Sequence, residues 1–478
     1  MIMEEATKSK IRQFLLNQIA QSTSQIHSLT LDINNNSYPK RQLVFKIEEY
    51  IKNYQQKKTD SRWIVIPGLR GVGKTTLLAQ VYENLDCSQD NKLFVSLDEL
   101  KNVLRVGLVD LLDTYEEILG NSFEALKSSV YLFLDEVQYE EDWAVILKTI
   151  YDRTRKVFII CSGSSALLLQ TNADIGRRSD IMKLYPLSFT EYRLIKFGKD
   201  INENLGNNIK EAIFNSNDAT QVYTKLKALQ KDVTKEWIIN RMELDKYIKY
   251  GTLPFAIGLE EGNVYSKIKR IFDTIRTKDI PQVKKFDPDT VEKIGAILYA
   301  LSSSDVVGLN KFGRTMNVAE NTIRDLFEVF VLSELLIKVK PYASHFGQVK
   351  RPSKYLFLSS AYRSMFFNAF GSIMTYDQYK GRLLEDIVAL YLHKILDLSL
   401  GAILNYDMVQ GGADYIVRFV NEKKIAIEVG YGTKGFMQVR NTMKRIDCAY
   451  GISLSQSTLA LGDTNNSVSI PLEYFLLI

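Results

Sequence analysis

Between Ile64 and Leu78 the chain reads Ile-Val-Ile-Pro-Gly-Leu-Arg-Gly-Val-Gly-Lys-Thr-Thr-Leu-Leu. Gly68, Gly73, Lys74 and Thr75 fill the fixed positions of GxxxxGK[ST]. An apolar run from Trp63 to Ile66 stands in front and reads as a buried strand, and a helical pattern from Thr76 to Tyr82 follows. This motif needs a strand, a loop and a helix in that order, which commits the chain to an α/β core. With no side chains at Gly68, Gly71 and Gly73, the backbone wraps a phosphate closely and turns its N–H groups inward, while the helix N-terminus adds partial positive charge. Arg70, Val72 and Thr76 complete the loop's predicted contacts with the nucleotide. Lys74 is placed to reach the β- and γ-phosphates of ATP, and the Thr75 hydroxyl to ligate Mg²⁺. The competing reading is a glycine turn before an unrelated helix.

A second strand is predicted over Leu93 to Leu97 and a helix over Val106 to Ile118. The next apolar run, Val130 to Leu134, delivers Asp135-Glu136 at its carboxyl end. There Asp135 would hold Mg²⁺ and Glu136 would polarise the attacking water as general base. The strand Lys156 to Cys161 ends in Ser162-Gly163-Ser164-Ser165. Ser162, and after it Ser164, would sense the γ-phosphate or its water; capping a helix over 166–170 is the alternative use of Ser164 or Ser165. Gly176-Arg177-Arg178 precedes the strand-like Ile181 to Phe189. An arginine there suits a γ-phosphate, in its own subunit or across an interface, because guanidinium is planar and always charged. A solvated basic turn is the competing reading.

These motifs occur in one order, with Leu-Phe-Leu-Asp-Glu-Val-Gln, Ser-Gly-Ser-Ser-Ala and Leu-Tyr-Pro-Leu-Ser-Phe-Thr-Glu-Tyr around them. Together they resemble prokaryotic AAA-type ATPases that carry a C-terminal endonuclease-like domain. The resemblance covers nearly everything after about residue 40. It implies a parallel αβα core, a helical lid with a glycine–proline turn at Tyr250 to Phe255, a winged helix-turn-helix module and a restriction-endonuclease-like α/β domain. The segments that follow are 1–45 N-terminal helices, 46–190 ATPase core, 191–287 lid, 288–352 winged-helix module and 353–478 endonuclease-like domain.

Outside the core the residues speak less directly. Ile11, Phe14, Leu15 and Ile19 share one helical face, and Leu43 to Tyr54 forms a second helix; both read as packing helices. Gly198 to Asn217 reads as an exposed polar insertion, and Lys267 to Lys285 as the densest basic stretch, either a phosphate track or a solvated face. A helix Glu320 to Ile337 stands where a recognition helix would, but Glu320, Asp325 and Glu328 repel DNA phosphates, which favours protein packing. In the last segment Glu385 on a helix, Asp414, and Glu428 on the second strand of a hairpin follow the endonuclease layout, in which carboxylates would gather a second metal site. Gly430 stands where that layout has a lysine, and Lys434 is the nearest replacement.

Charge excludes little. With 61 Lys+Arg against 56 Asp+Glu there is no global polyanion signature. Three scattered cysteines give neither a disulfide framework nor a zinc spacing, which fits the cytoplasm, and no apolar run approaches the roughly 18 residues of a membrane span. The reading is a Mg²⁺-dependent ATPase working on DNA, branched or defence-related, as a homo-oligomer such as a ring. The rival is a nucleotide-switched signalling or scaffold protein with a degenerate nuclease-like domain.

Overall fold

The computed structural model describes residues 5–164, 176–199, 202–237, 239–304, 306–369, 374–396, 401–432, 435–456 and 458–478, without the side chains of 21–23 and 203. Ser165, the helix expected over 166–170 and Lys434 lie outside the described residues. Two compact units emerge, Met1–Tyr185 and Pro186–Ile478. Among the described residues no helix is long and apolar enough to cross a membrane.

The first unit is organised on a parallel sheet in the order β2-β3-β4-β1-β5: β1 Trp63–Pro67, β2 Lys92–Ser96, β3 Val130–Asp135, β4 Val157–Gly163 and β5 Asp180–Ile181. β1, β3 and β4 are buried at every residue, which is why they read as unbroken apolar runs rather than alternating ones. Helix α1 Glu5–Ser28 sends Ile11 and Leu15 into the core shared with Trp63, Val65 and Leu93, as its apolar face predicts. The others are α2 Gln42–Gln55, α3 Lys74–Asn84, α4 Leu108–Leu119 and α5 Trp143–Arg153. Trp63 and Trp143 meet edge to face with centroids 6.4 Å apart, a geometry worth about 0.5–1.5 kcal/mol beyond burial.

The strand expected over Ile181 to Phe189 is cut short. β5 ends at Ile181, although Met182 and Leu184 still donate to the carbonyls of Val65 and Pro67. Pro186 has no N–H with which to continue the ladder.

The second unit holds a sheet in the order β13-β14-β12-β11-β10-β9-β7-β8-β6. Its strands are β6 Val306–Val307, β7 Leu336–Pro341, β8 Ser353–Phe357, β9 Ile403–Tyr406, β10 Tyr415–Arg418, β11 Lys424–Val429, β12 Tyr450–Ser455, β13 Ala460–Leu461 and β14 Ser467–Pro471. β10 and β11 form the predicted antiparallel hairpin, and β11, β12 and β14 run parallel. Helices α6 Pro288–Ser302, α7 Leu309–Met316, α8 Glu320–Leu332, α9 His345–Lys350 and α10 Tyr376–Ile395 accompany this sheet.

Three expectations change here. The helix predicted to reach Ile337 stops at Leu332, because Glu334 adopts φ 59° and the alternating pattern of β7 takes over. The stretch read as an exposed insertion contains the helix Glu203–Phe214, which buries Leu205, Ile209, Ala212 and Ile213. Its polar composition hides an apolar stripe at helical spacing. The 352/353 boundary falls where β8 pairs antiparallel with both β7 and β6, while β7 pairs with β9, so the sheet runs straight through it. Fully buried Arg363 joins the two sides: its guanidinium donates to the Ser302 carbonyl at 2.8 Å, before the boundary, and to the buried Asp386 at 2.5 and 2.8 Å, after it.

Candidate active site

Strand register brings the predicted nucleotide residues to one edge of the first sheet. Ser96 stands opposite Asp135, Leu134 opposite Cys161, and Ile66 opposite Ser162, so the carboxyl ends of β1, β3 and β4 finish level. That edge is where an open α/β sheet presents ligands.

The phosphate loop is fixed by sterics and by one distant arginine. A Cβ at Gly68 would come within 2.6 Å of the Leu184 carbonyl oxygen, and Gly73 has φ 96°, which L side chains avoid. Buried Arg41 donates to the Val72 carbonyl at 3.0 Å and to the Tyr185 carbonyl at 2.9 Å, tying the loop to the chain beyond β5. No motif pointed to Arg41. Lys74 opens α3 and donates back to the carbonyls of Gly68 (3.0 Å) and Leu69 (3.4 Å), which holds the ammonium inside the loop. Thr76 lies one residue further along the same helix turn.

Thr75 Oγ1 donates to Asp135 Oδ2 at 2.6 Å, and Ser162 Oγ donates to Asp135 Oδ1. Burial pushes the Asp135 carboxyl above the ordinary carboxylate range and the charge of Glu136 adds to this; Ser162, Thr75 and Lys74 pull the other way. A hydroxyl and a carboxylate oxygen side by side are the hard donors that Mg²⁺ takes from protein when phosphates and water supply the rest. The residues therefore fit the ion that the motifs imply.

Ser162, expected as a sensor of the γ-phosphate, is fully buried with its hydroxyl bonded to Asp135. Ser164 is also buried, and its Oγ has no hydrogen-bond partner among the described residues. Glu136 occupies the left-handed region at φ 54°, a strained conformation for a residue with a Cβ. Its Oε2 accepts from Gln138 Nε2 and lies 3.8 Å from Arg70 Nη2. Gln138 in turn accepts from the Ser164 N–H at 3.3 Å, bridging the ends of β3 and β4. The Gln of Asp-Glu-Val-Gln was the available signal for it.

Arg70, Thr75, Asp135 and Glu136 line a cavity of about 420 Å³, and Gln18 and Gln25 of α1 line it as well. The N-terminal helix is thus a wall of this cavity and not only a packing element. The arginines divide: Arg178 forks onto Asp152 at 2.7 and 3.0 Å, whereas Arg177 is exposed.

In the second unit Glu385 and Asp414 do come together, on a lysine. Buried Lys354 of β8 lies 2.7 Å from Glu385 Oε2 and 3.3 Å from Asp414 Oδ1, and Asp414 Oδ2 accepts from the Val429 N–H at 2.9 Å. Glu428 is buried on β11. Among the described residues no group of three His, Cys, Asp or Glu is arranged to hold a metal ion, so the second metal site expected from Glu385, Asp414 and Glu428 is not assembled there. In its place an ammonium stands against two of the three carboxylates. Strand order revealed this lysine; spacing along the chain could not.

Residues 60–193 match a family model described as an AAA domain. The chain is 35% identical over 442 residues to uncharacterized protein MJ1637 of Methanocaldococcus jannaschii, covering 91% of this chain and 87% of that one. It is 20% identical over 345 residues to MJ1544 of the same organism, covering 69% and 66%. Among solved structures, the Walker-type ATPase PABY2304 of Pyrococcus abyssi aligns with 13% identity and a TM-score of 0.40, over 70% of this chain and 97% of that one.

Proposed function

Because the chain belongs to the family of MJ1637 and carries an AAA domain, we propose that it is an AAA-type ATPase that couples ATP binding and hydrolysis to work on DNA. The observation that carries the ATPase reading is the 2.6 Å contact of Thr75 with Asp135, beside a lysine held inside a glycine loop. Gly68, Arg70, Gly71, Val72, Gly73, Lys74, Thr75 and Thr76 hold the nucleotide, and Thr75 and Asp135 hold Mg²⁺. Held by the Thr75 hydroxyl and the Asp135 carboxylate, Mg²⁺ would supply positive charge against the phosphates. Glu136 takes the proton of the attacking water. Arg177, exposed, serves a neighbouring subunit's nucleotide in a ring or other homo-oligomer.

The DNA reading has a separate basis. α7, the turn at Asn317, α8, and strands β7 and β8 follow the layout of a winged helix-turn-helix, and the endonuclease-like segment follows it. With Lys354 on its carboxylates, that segment binds DNA without cutting it. A nucleotide-switched scaffold is the second reading, favoured by the same neutralised cluster. ATP turnover measured with and without single-stranded, duplex and branched DNA separates the two: a DNA-coupled enzyme speeds up on one of these, and a switch does not respond.

A further inference from the structure

The early turns of α8 carry Glu320, Asp325 and Glu328, the acids expected to repel DNA phosphates. In the folded chain Glu320 and Asp325 are already paired, and Glu328 does not line the concavity described below. Glu320 meets Arg324 at 3.1 Å, and Asp325 meets Lys284, from the basic stretch, at 2.6 Å. What remains unneutralised is on the neighbouring strand. Lys338 and Lys340 are two residues apart on β7 and share its exposed face. Lys350 ends α9 and Arg351 follows it, both exposed. Among the described residues none of these four cations is paired with a carboxylate, and together with Arg324 they line a concavity of about 370 Å³ whose only acidic lining residue is Glu320.

We propose that this concavity seats the sugar–phosphate backbone of duplex DNA. The proposal rests on the DNA reading above and gives it a place. Four cations without a carboxylate partner among the described residues face one trough, which is a polyanion's footprint, and the single lining carboxylate, Glu320, is too little to hold a basic peptide. A single strand would need aromatic faces to stack on. Among the described residues Tyr355 is the one aromatic that lines the trough, and it is buried, so the trough itself has no such platform. The N-terminal turn of α7, Gly308 to Asn310, lines the same concavity and adds backbone N–H groups to the cations.

The test is fluorescence anisotropy with a short labelled DNA duplex across a salt series. It compares the full chain with Lys338→Ala/Lys340→Ala and Lys350→Ala/Arg351→Ala. Each pair lowers affinity about tenfold at moderate salt and flattens the slope of log K against log salt by about 1.8, since each neutralised phosphate contributes about 0.9. Basal ATP turnover and the thermal midpoint stay at wild-type values, which shows that the variants fold. If the wild type binds duplex and both variants match it in affinity and slope, the trough is wrong while the DNA reading stands. If the wild type binds no nucleic acid at low salt, the DNA reading fails and the trough with it. Preference for single-stranded DNA or RNA over duplex also overturns the assignment.

Discussion

Arg70 in the phosphate loop and Glu136 at the end of β3 face each other across the cavity, Nη2 to Oε2, at 3.8 Å. Both are partly exposed, so the pair is screened and held loosely. A triphosphate entering the loop competes for the same guanidinium and draws it off the carboxylate. Arg70→Ala should therefore weaken ATP binding about tenfold, equivalent to about 1.4 kcal/mol, with Arg70→Lys recovering part of it. Calorimetric titration with a non-hydrolysable analogue reads this directly. Unchanged affinity in the alanine variant would show that Arg70 serves Glu136 alone.

Lys74→Ala and Glu136→Gln should fail differently. Losing the ammonium held by the Gly68 and Leu69 carbonyls removes nucleotide affinity. Losing the carboxylate leaves binding intact and lowers turnover by about 10²–10⁴-fold, the span of general base catalysis. Filter binding and phosphate release, measured on both variants, distinguish them. Equal turnover of wild type and Glu136→Gln removes Glu136 from the mechanism.

Asp135 gives a pH prediction. Its native pKa is raised, chiefly by burial, so above that pKa the folded chain carries a buried charge that the unfolded chain leaves in water. Asp135→Asn should thus melt higher than wild type at neutral pH without Mg²⁺. The gain should shrink as pH falls through the native pKa and vanish below the unfolded carboxylate's value of about 3.9, where neither state is charged. A gain that does not change with pH would place its origin elsewhere.

The two arginines should also separate. Arg178 is already bidentate on Asp152 within its own chain, so Arg178→Ala and Asp152→Ala should affect hydrolysis alike. Arg177→Ala should reduce turnover by about 10³-fold if it reaches a neighbour's γ-phosphate. Mixing it with Glu136→Gln subunits, which keep the arginine, should restore part of the activity. No recovery despite proven co-assembly would exclude action in trans.

Lys354→Met leaves two carboxylates facing each other with their cation gone. Breaking such a pair costs about 3 kcal/mol where the partners are largely buried. Adding Glu385→Gln and Asp414→Asn to the same chain should return much of the lost stability in urea denaturation. Wild type should show no Mg²⁺-dependent DNA cleavage; nicking abolished by Asp414→Ala would overturn the assignment of Lys354 as the cluster's cation.

The nucleotide site was legible because its geometry is local. Gly68 to Thr76 and Val130 to Glu136 each place their chemistry at the end of one strand, and adjacent parallel strands do the rest. Arg41, Lys354 and Arg363 left no such trace. Each acts on residues far along the chain, Arg41 on Tyr185 and Lys354 on Asp414, so its partner is decided by tertiary packing and not by spacing. The Gly198 to Asn217 stretch misled for the opposite reason: abundant Asn and Glu masked the i, i+4 rhythm of Leu205 and Ile209.

The sheet that passes unbroken from β6 to β13 has a mechanical meaning. Hydrogen-bonded strands resist shear along their whole length, and Arg363, donating both to the Ser302 carbonyl of α6 and to Asp386 of α10, acts as a rivet between the two sides of the 352/353 boundary. Load applied to Lys338 and Lys340 on β7 enters β9 through the Lys340–Asn405 and Pro341–Tyr406 pairing and travels on to β10 and β11. The trough proposed for DNA and the Lys354 cluster therefore belong to one stiff plate, and a turn imposed on either is a turn of both.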